Sequence, residues 1–449
     1  MSTVAKFGGS SLADAGQIEK VIRIIQSDGR RQHIVVSAPG KRFAGDEKIT
    51  DALYRWYRLS RSKSKTKARA CAKVRRFVTE RYGGIVKGLG LEIDILAEIE
   101  RINQNLEAGA SVDYLVSRGE YLMAKILAEA LGYRFIDAAD YIRFENDGKT
   151  YKVSPMLASV LQTVRAVIPG FYGSYKDGSI CTFSRGGSDI TGAIVAAAVL
   201  ADLYENWTDV SGILMADPRV VKNPRPIGEV TYGELRELAY MGASVFHEEA
   251  MFPVQDAGIP IRVLNTNRPK DQGTLITPDN GHTPKRKCVI SGLSGKKGFS
   301  VITVAKRLMN REIGFGRRIL GVLERNKIRF EHMPGGIDTV SLVIDTKQLR
   351  GKSRRVTSGI RKACSVNGTG KRGSRVRIDV QHGVAMIAVV GLGMIHHVGI
   401  AARVLGAVAR ARINTKVINQ GSGEMNIIVG VLNEDSDNAI RAIYDEFVN

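Results

Sequence analysis

The chain has 449 residues, enough for two to four domains at roughly 150 residues each, and its 44% hydrophobic and 25% charged residues are those of a soluble globular protein. The longest uninterrupted apolar stretch, residues 193–201, falls far short of the ~20 residues that span a bilayer, so a membrane-spanning protein is excluded. Sixty-six Lys and Arg against 45 Asp and Glu leave a net charge of +21, which raises the question of a polyanionic partner.

In chain order, Val4 to Phe7 reads as a strand closed by Gly8-Gly9-Ser10-Ser11. A helix then opens near Asp14, a good N-cap residue with Gln17 three positions on, and its apolar positions Ile18, Val21, Ile22 and Ile25 share one face. His33 to Ser37 is the next strand, ended by Ala38-Pro39-Gly40, and a long helical region runs from about residue 50 to 131. Further short strands are expected at 134–137, 166–172, 180–183 and 204–207. Alternating strands and helices predict a largely parallel sheet sandwiched by helices, an α/β domain over residues 1–285. After Gly281 the pattern changes. Strands at 299–305, 329–333 and 339–344 with a helix at 316–326 are followed, roughly eighty residues later, by strands at 385–390, 414–419 and 425–432 with helices at 398–411 and 435–447. Two βαββαβ-type α+β units fit this repeat, at 296–378 and 379–449.

The excess charge is local. Residues 55–81 carry eleven Lys/Arg and one acid, and residues 352–377 carry nine Lys/Arg and none, so two segments hold 19 of the 21 units. Both read as peripheral solvated surface with no specific nucleic-acid partner; the aromatic residues Tyr54, Trp56, Tyr57 and Phe77 are compatible with stacking and serve equally well as the buried stripe of an amphipathic helix. The N-terminus has no apolar signal region and predicts a cytoplasmic protein. Cys71, Cys181, Cys288 and Cys364 lie far apart with no CxxC, which predicts reduced thiols and no metal site.

Three clusters carry chemistry. Lys6-Phe7-Gly8-Gly9-Ser10-Ser11 follows a first strand, where glycine lets backbone N–H groups approach phosphate oxygens and a lysine stands beside them. Phe183-Ser184-Arg185-Gly186-Gly187-Ser188-Asp189 enters an apolar helix whose N-terminus favours anions, and Arg185 suits a carboxylate. Trp207-Thr208-Asp209-Val210 is followed by Asp217-Pro218-Arg219. By contrast Gly391-Leu392-Gly393 has His396 where a dinucleotide fingerprint needs its third glycine, and it lies in the second repeat unit.

Together with Ser37-Ala38-Pro39-Gly40, Ser117-Arg118-Gly119-Glu120 and Gly273-Thr274-Leu275, these clusters resemble, in order and spacing, the aspartokinases of the amino-acid kinase superfamily over essentially the whole chain. The resemblance implies ATP-dependent phosphorylation of the L-aspartate side-chain carboxylate, a nucleophile already ionised near neutral pH. It assigns Lys6 and Asp189 to catalysis, and Ser37, Thr50, Glu120, Phe183, Arg185 and Ser188 to the amino acid. Lys6, Phe7, Gly8, Gly9, Ser10, Thr208, Asp209, Leu214 and Arg219 fall to the nucleotide, with Mg2+ held mainly by ATP oxygens. Two departures bear on nucleotide affinity or purine choice: Leu214 stands where many relatives have tyrosine, and Ser244 where many have lysine.

The repeated C-terminal unit resembles paired ACT domains. That resemblance implies an amino-acid effector, lysine and/or threonine, held near Met309, Gly314, Phe315, Gly316, Phe330, Glu331 and Asp338, and a homodimer or homotetramer formed through these domains. Two other readings stay open on the sequence: a kinase for another amino-acid carboxylate such as glutamate or N-acetylglutamate, and a non-catalytic amino-acid sensor.

Overall fold

The computed structural model describes residues 2–64, 66–184, 186–242, 250–279, 288–365, 376–421, 423 and 425–448. Contacts divide the chain into two compact units, one of residues 1–213, 226–232 and 244–282, the other of residues 214–225, 233–243 and 283–449. Among the described residues no helix is long and apolar enough to cross a membrane.

The first unit is built on an eight-stranded sheet in the order 229–231, 274–277, 261–265, 203–208, 3–7, 31–36, 166–169, 134–135, and every neighbouring pair is parallel except 261–265 with 274–277. Its central strand β1 (Thr3–Phe7) is buried throughout. Side chains alternate along a strand, so Ala5 and Phe7 face one side and Val4 and Lys6 the other. Ala5 and Phe7 join a core with five helices: α1 (Ala15–Gln26), α2 (Ile49–Ser60), α3 (Lys67–Leu89), α4 (Ile95–Glu107) and α5 (Val112–Leu131). The Gly187–Ala198 helix packs against β1 and its neighbours instead. α1 opens as expected, the Asp14 carboxylate accepting from the Gln17 N–H at 2.9 Å. A four-stranded sheet (residues 151–153, 142–144, 172–174 and 180–182) carries the remainder, and its first two strands were not foreseen.

The basic run of residues 55–81 is an amphipathic surface with one exception. Trp56, Val74, Val78 and Tyr82 are buried at helical spacing while most of the Lys and Arg face outward. Arg81, however, is only 5% exposed, so the reading of this segment as solvated periphery fails at its last residue.

The second unit holds a five-stranded antiparallel sheet in the order 339–345, 292–305, 377–390, 426–432, 417–420. Its two 14-residue strands run through both repeats. Gly292–Lys297 pairs with Ala385–Val390, and Phe299–Ala305 pairs with Arg377–Val384 beyond an irregularity at Gly298, whose φ is +97°. Helices 315–325 and 353–365 pack on each other in the first repeat, and 400–410 and 436–448 in the second. Two expectations are corrected. The strand at 329–333 is reduced to a bridge between His332 and Val343, because the Arg329 backbone is bonded to the Gln348 side chain (2.9 and 3.2 Å) and Pro334 has no N–H to continue a ladder. The basic stretch at 352–377 is no mere connector: Ser353–Ser365 is a helix that buries Val356, Ile360 and Cys364 at four-residue spacing. The glycines of Gly391-Leu392-Gly393 serve packing, since a Cβ on Gly391 would lie 2.7 Å from the Ile290 Cα, and the Leu392 N–H donates to the Glu234 carboxylate at 2.7 Å.

If Ser353–Ser365 is a core helix, Ile360→Ala will lower stability by about 2–5 kcal/mol in denaturant titrations. On its outer face Lys362→Ala will change stability by no more than about 0.5 kcal/mol. Equal, small effects from both substitutions are the result that contradicts this.

Candidate active site

A cleft of about 1190 Å³ opens where β1 (Thr3–Phe7), the 31–36 strand and the 203–208 strand end, the edge at which open α/β sheets place ligands. Gly8, Gly9 and Ser10 line it from the first strand, Ser37, Ala38, Pro39 and Gly40 from the second, and Thr208 and Asp209 from the third. The N-terminal turns of α2 (Thr50, Asp51) and of the Gly187–Ala198 helix (Gly187, Ser188, Asp189) open on the same space, two positive helix ends directed at one volume.

Lys6 is its central cation. It leaves β1 on the face of the Gly187–Ala198 helix, and its Nζ lies 2.5 Å from the Asp189 Oδ1. The third member is Asn206, which stands in register with Lys6 on the adjacent parallel strand and donates to the same Asp189 oxygen at 2.8 Å. Asp189 is therefore held from two strands while its helix supplies its backbone, which the Tyr204 hydroxyl contacts at the Asp189 carbonyl (3.1 Å).

Across the cleft stands an acid, Glu120, from the middle of α5. Its Oε1 accepts from the Ala38 N–H at 3.0 Å, whereas its buried Oε2 has no partner among the described residues. Burial lifts its pKa from the usual 4.5 to about 8. An unpaired, desolvated carboxylate oxygen at the wall of a cleft suits a ligand ammonium, whose charge would bring that pKa back down.

The walls are formed by close backbone approach. Gly40 N–H donates to Gly9 O at 2.7 Å, and a Cβ on Gly40 would lie 2.6 Å from the Gly9 carbonyl carbon. Phe171, another lining residue, holds a left-handed backbone with φ +79°, a costly state for a bulky residue. It is secured on both sides, its N–H donating to Thr191 Oγ1 (3.1 Å) and its carbonyl accepting from the Phe183 N–H (2.9 Å).

The cleft thus gathers Lys6, Gly8, Gly9, Ser10, Ser37, Thr50, Glu120, Ser188, Asp189, Thr208 and Asp209 of the predicted site. Others lie elsewhere. The Phe7 ring stacks on Trp207 at 5.9 Å, and the Phe183 ring packs on Phe144 and Tyr151 at 4.8 and 5.3 Å, so both aromatic side chains support the walls rather than face the cleft. The Gly8 N–H is committed to Trp207 O at 2.9 Å, which removes it as a phosphate donor. Leu214 and Arg219 fall in the second compact unit, Arg219 being bonded to Asp217 at 2.6 Å. Arg185 and Ser244 lie outside the described residues. Lining residues missed in the sequence are Lys41, Lys48, Asp51, Tyr54, Phe171 and Ser184, and Asn206 was missed as the partner of Asp189. Asn206 was within reach of strand logic, being two positions before Thr208 and so on the same face.

Of the predicted effector residues, Met309 and Phe315 are buried in the first repeat's core, and Gly314 caps the 315–325 helix with φ +76°. Gly316 neighbours Met333, a Cβ there lying 3.5 Å from the Met333 Cε. Asp338 caps the loop, its Oδ1 accepting from the Leu308 N–H at 2.7 Å. Phe330 is 42% exposed, and the Glu331 pKa is raised by burial and then by the nearby Asp345. The acid at the centre of this loop is instead Glu312, which pairs with the buried Lys306 and, at 2.6 Å, with Arg318.

A strand-end cleft with a lysine held by an aspartate and two helix N-termini facing it is suited to an anionic, phosphate-bearing ligand. The chain belongs to the aspartokinases of the amino acid kinase family, whose model matches residues 1–265; an ACT domain model matches residues 387–447. It is 38% identical to Aspartokinase 3 of Bacillus subtilis, over 99% of this chain and 98% of that one. The crystal structure of Clostridium acetobutylicum aspartate kinase superposes with a TM-score of 0.88 at 46% identity, covering 99% of this chain and 100% of that one. Escherichia coli aspartokinase III superposes with TM-scores of 0.72 in its complex with aspartate and ADP and 0.70 in its complex with lysine and aspartate, at 25% identity over 100% of both chains.

Glu120 makes a pH prediction. Because its folded pKa lies above its unfolded one, its contribution to stability is complete below about pH 4.5 and is lost as pH rises through about 8. The ligand-free melting temperature will fall across that window, and Glu120→Gln will flatten the fall. An unchanged slope in the variant counts against the assignment.

Proposed function

We propose that the protein transfers the γ-phosphoryl group of ATP to the side-chain carboxylate of L-aspartate, giving 4-phospho-L-aspartate and ADP. The observation that carries this is the convergence of the Lys6–Asp189–Asn206 network and the unpaired oxygen of Glu120 in one cleft. A carboxylate oxygen of aspartate forms the new bond to phosphorus while the bond from phosphorus to the bridging oxygen of ADP breaks; no proton has to move, because the nucleophile is already ionised. Catalysis then consists of positioning and charge compensation.

In this reading Lys6 neutralises charge on the transferring group and Asp189 orients Lys6. Glu120 takes the substrate ammonium, and Arg185 its α-carboxylate. Ser37, Thr50 and Ser188 complete the amino-acid end. Gly9, Ser10, Thr208 and Asp209 lie on the nucleotide, and the family resemblance adds Leu214 and Arg219 to that set. Mg2+ would be carried mainly on the phosphates of ATP. There it would supply charge neutralisation for the transferring phosphoryl group. The orphaned Glu120 oxygen also argues for this reading over an N-acylated acceptor, which has no ammonium to pair with it.

The paired ACT-type repeats support feedback control by lysine and/or threonine, as a step leading towards lysine, threonine and methionine. A cytoplasmic homodimer or homotetramer joined through those repeats completes the reading, with no specific nucleic-acid partner. The complexes of E. coli aspartokinase III with aspartate and ADP, and with lysine, support the ligand classes.

A coupled assay with aspartate and ATP will show turnover. Lys6→Met will reduce kcat by about 10²–10³-fold or more, and Asp189→Asn will act in the same direction. Activity at background in the wild-type chain with aspartate and both ATP and GTP, each tried in turn, overturns the function. Lysine and threonine, alone and together, will lower activity or shift the melting temperature; no change in either quantity removes the regulatory part.

A further inference from the structure

One cation of the 55–81 segment is not surface charge. The Arg81 side chain, on the inner face of α3, is 2% exposed. Its Nη1 donates to the Gly40 carbonyl at 2.9 Å, and its Nη2 to Asp46 Oδ2 at 2.6 Å and towards the Glu47 carbonyl at 3.4 Å. Asp46 is 4% exposed and accepts from Arg42 as well, through the backbone N–H (3.0 Å), Nε (2.8 Å) and Nη2 (3.1 Å). One guanidinium therefore ties both ends of the 40–47 loop to a helix, in a geometry that needs two separate donor arms.

That loop borders the cleft. It begins at Gly40, which is keyed into Gly9 by a 2.7 Å hydrogen bond at the turn after Lys6. Lys41 and Lys48 extend from its two ends and line the cleft with Lys6. Both lysines are exposed. Long, solvated lysines are poorly fixed by themselves, so their placement depends on the backbone that carries them.

We propose that Arg81 is a positioning residue for phosphoryl transfer: through Gly40 and Asp46 it holds the 40–47 loop so that Lys41 and Lys48 stand at the cleft and Gly9 keeps its place. The proposal rests on the kinase reading above for its activity readout but not for its structural one. Arg81 is not among the residues that line the cleft. It acts through the loop.

The test compares Arg81→Met, Arg81→Lys and Asp46→Asn in the full chain. In Arg81→Met, amide hydrogen exchange across residues 40–47 will accelerate at least about tenfold while the central strands keep their protection. The kcat/KM for aspartate will drop about 10- to 100-fold per folded molecule. Arg81→Lys will recover part of both, since an ammonium can satisfy one contact but not the pair. Asp46→Asn, which leaves the Gly40 contact in place, will show the same loop-specific change to a smaller degree and serves if Arg81→Met does not fold. Unchanged loop exchange in a folded variant, or a kcat/KM within about twofold of wild type, overturns the proposal. If the wild-type chain does not phosphorylate aspartate, the kinase reading fails, and loop exchange alone still decides whether Arg81 is the clamp.

Discussion

The ion pair between Lys6 and Asp189 is the constraint on which the site depends. Both groups are largely removed from water, so each needs the other, and breaking such a pair by losing one partner costs on the order of 3–5 kcal/mol. Satisfying it sets a chain of requirements. Lys6 must leave β1 on the face opposite Phe7, the Gly187–Ala198 helix must begin next to that face, and the 203–208 strand must pair in the register that brings Asn206 level with Lys6. A one-residue slip of that strand would turn Asn206 to the other side of the sheet and leave Asp189 with one partner fewer. An incoming phosphoryl group would meet a lysine already desolvated and already oriented, which is where preorganisation gains its effect.

Around that pair the cleft is walled by backbone rather than by side chains. Gly9 against Gly40, Gly170 against Ser188 and Gly187 against Phe171 all approach more closely than a Cβ allows, with prospective contacts of 2.6–2.9 Å. Phe171 accepts a left-handed backbone to join this packing. Such walls hold amides and small hydroxyls at fixed positions near an anionic ligand. In the proposed function they leave specificity to the few charged side chains that enter, Glu120 above all.

The second unit follows a different logic. Because its two longest strands each serve both repeats, the repeats are joined by a continuous sheet rather than by a linker, and the irregularity at Gly298 marks where one set of pairings gives way to the other. In the first repeat the loop acid Glu312 is already neutralised by Lys306 and Arg318, and Lys306 also donates to the Cys364 carbonyl at 2.9 Å. The 353–365 helix that carries Cys364 is thereby tied to the Glu312 loop.

The residue order alone determined the α/β character of the first unit, the α+β repeat that follows it, and the three short clusters that end strands or begin helices, because alternation, helical periodicity and glycine placement are local properties of a chain. Much of the cleft was legible for the same reason: Lys6, Gly9, Ser188 and Asp189 lie in those clusters, whereas Glu120, from the middle of α5, came only with the family resemblance. What the sequence could not reveal is whatever depends on contact between distant segments. Arg81 reads as one more cation in a basic run until Asp46 and Gly40 are seen beside it. The helix at 353–365 reads as a polar connector until a hydrophobic face of three residues finds its core. Phe7 and Phe183 fall in the right clusters yet turn their rings away, since their partners Trp207, Phe144 and Tyr151 come from other strands. Burial and pairing are set by the neighbours that folding supplies, so the charge of +21 was fixed by composition, but which of its members works as structure was decided only in three dimensions.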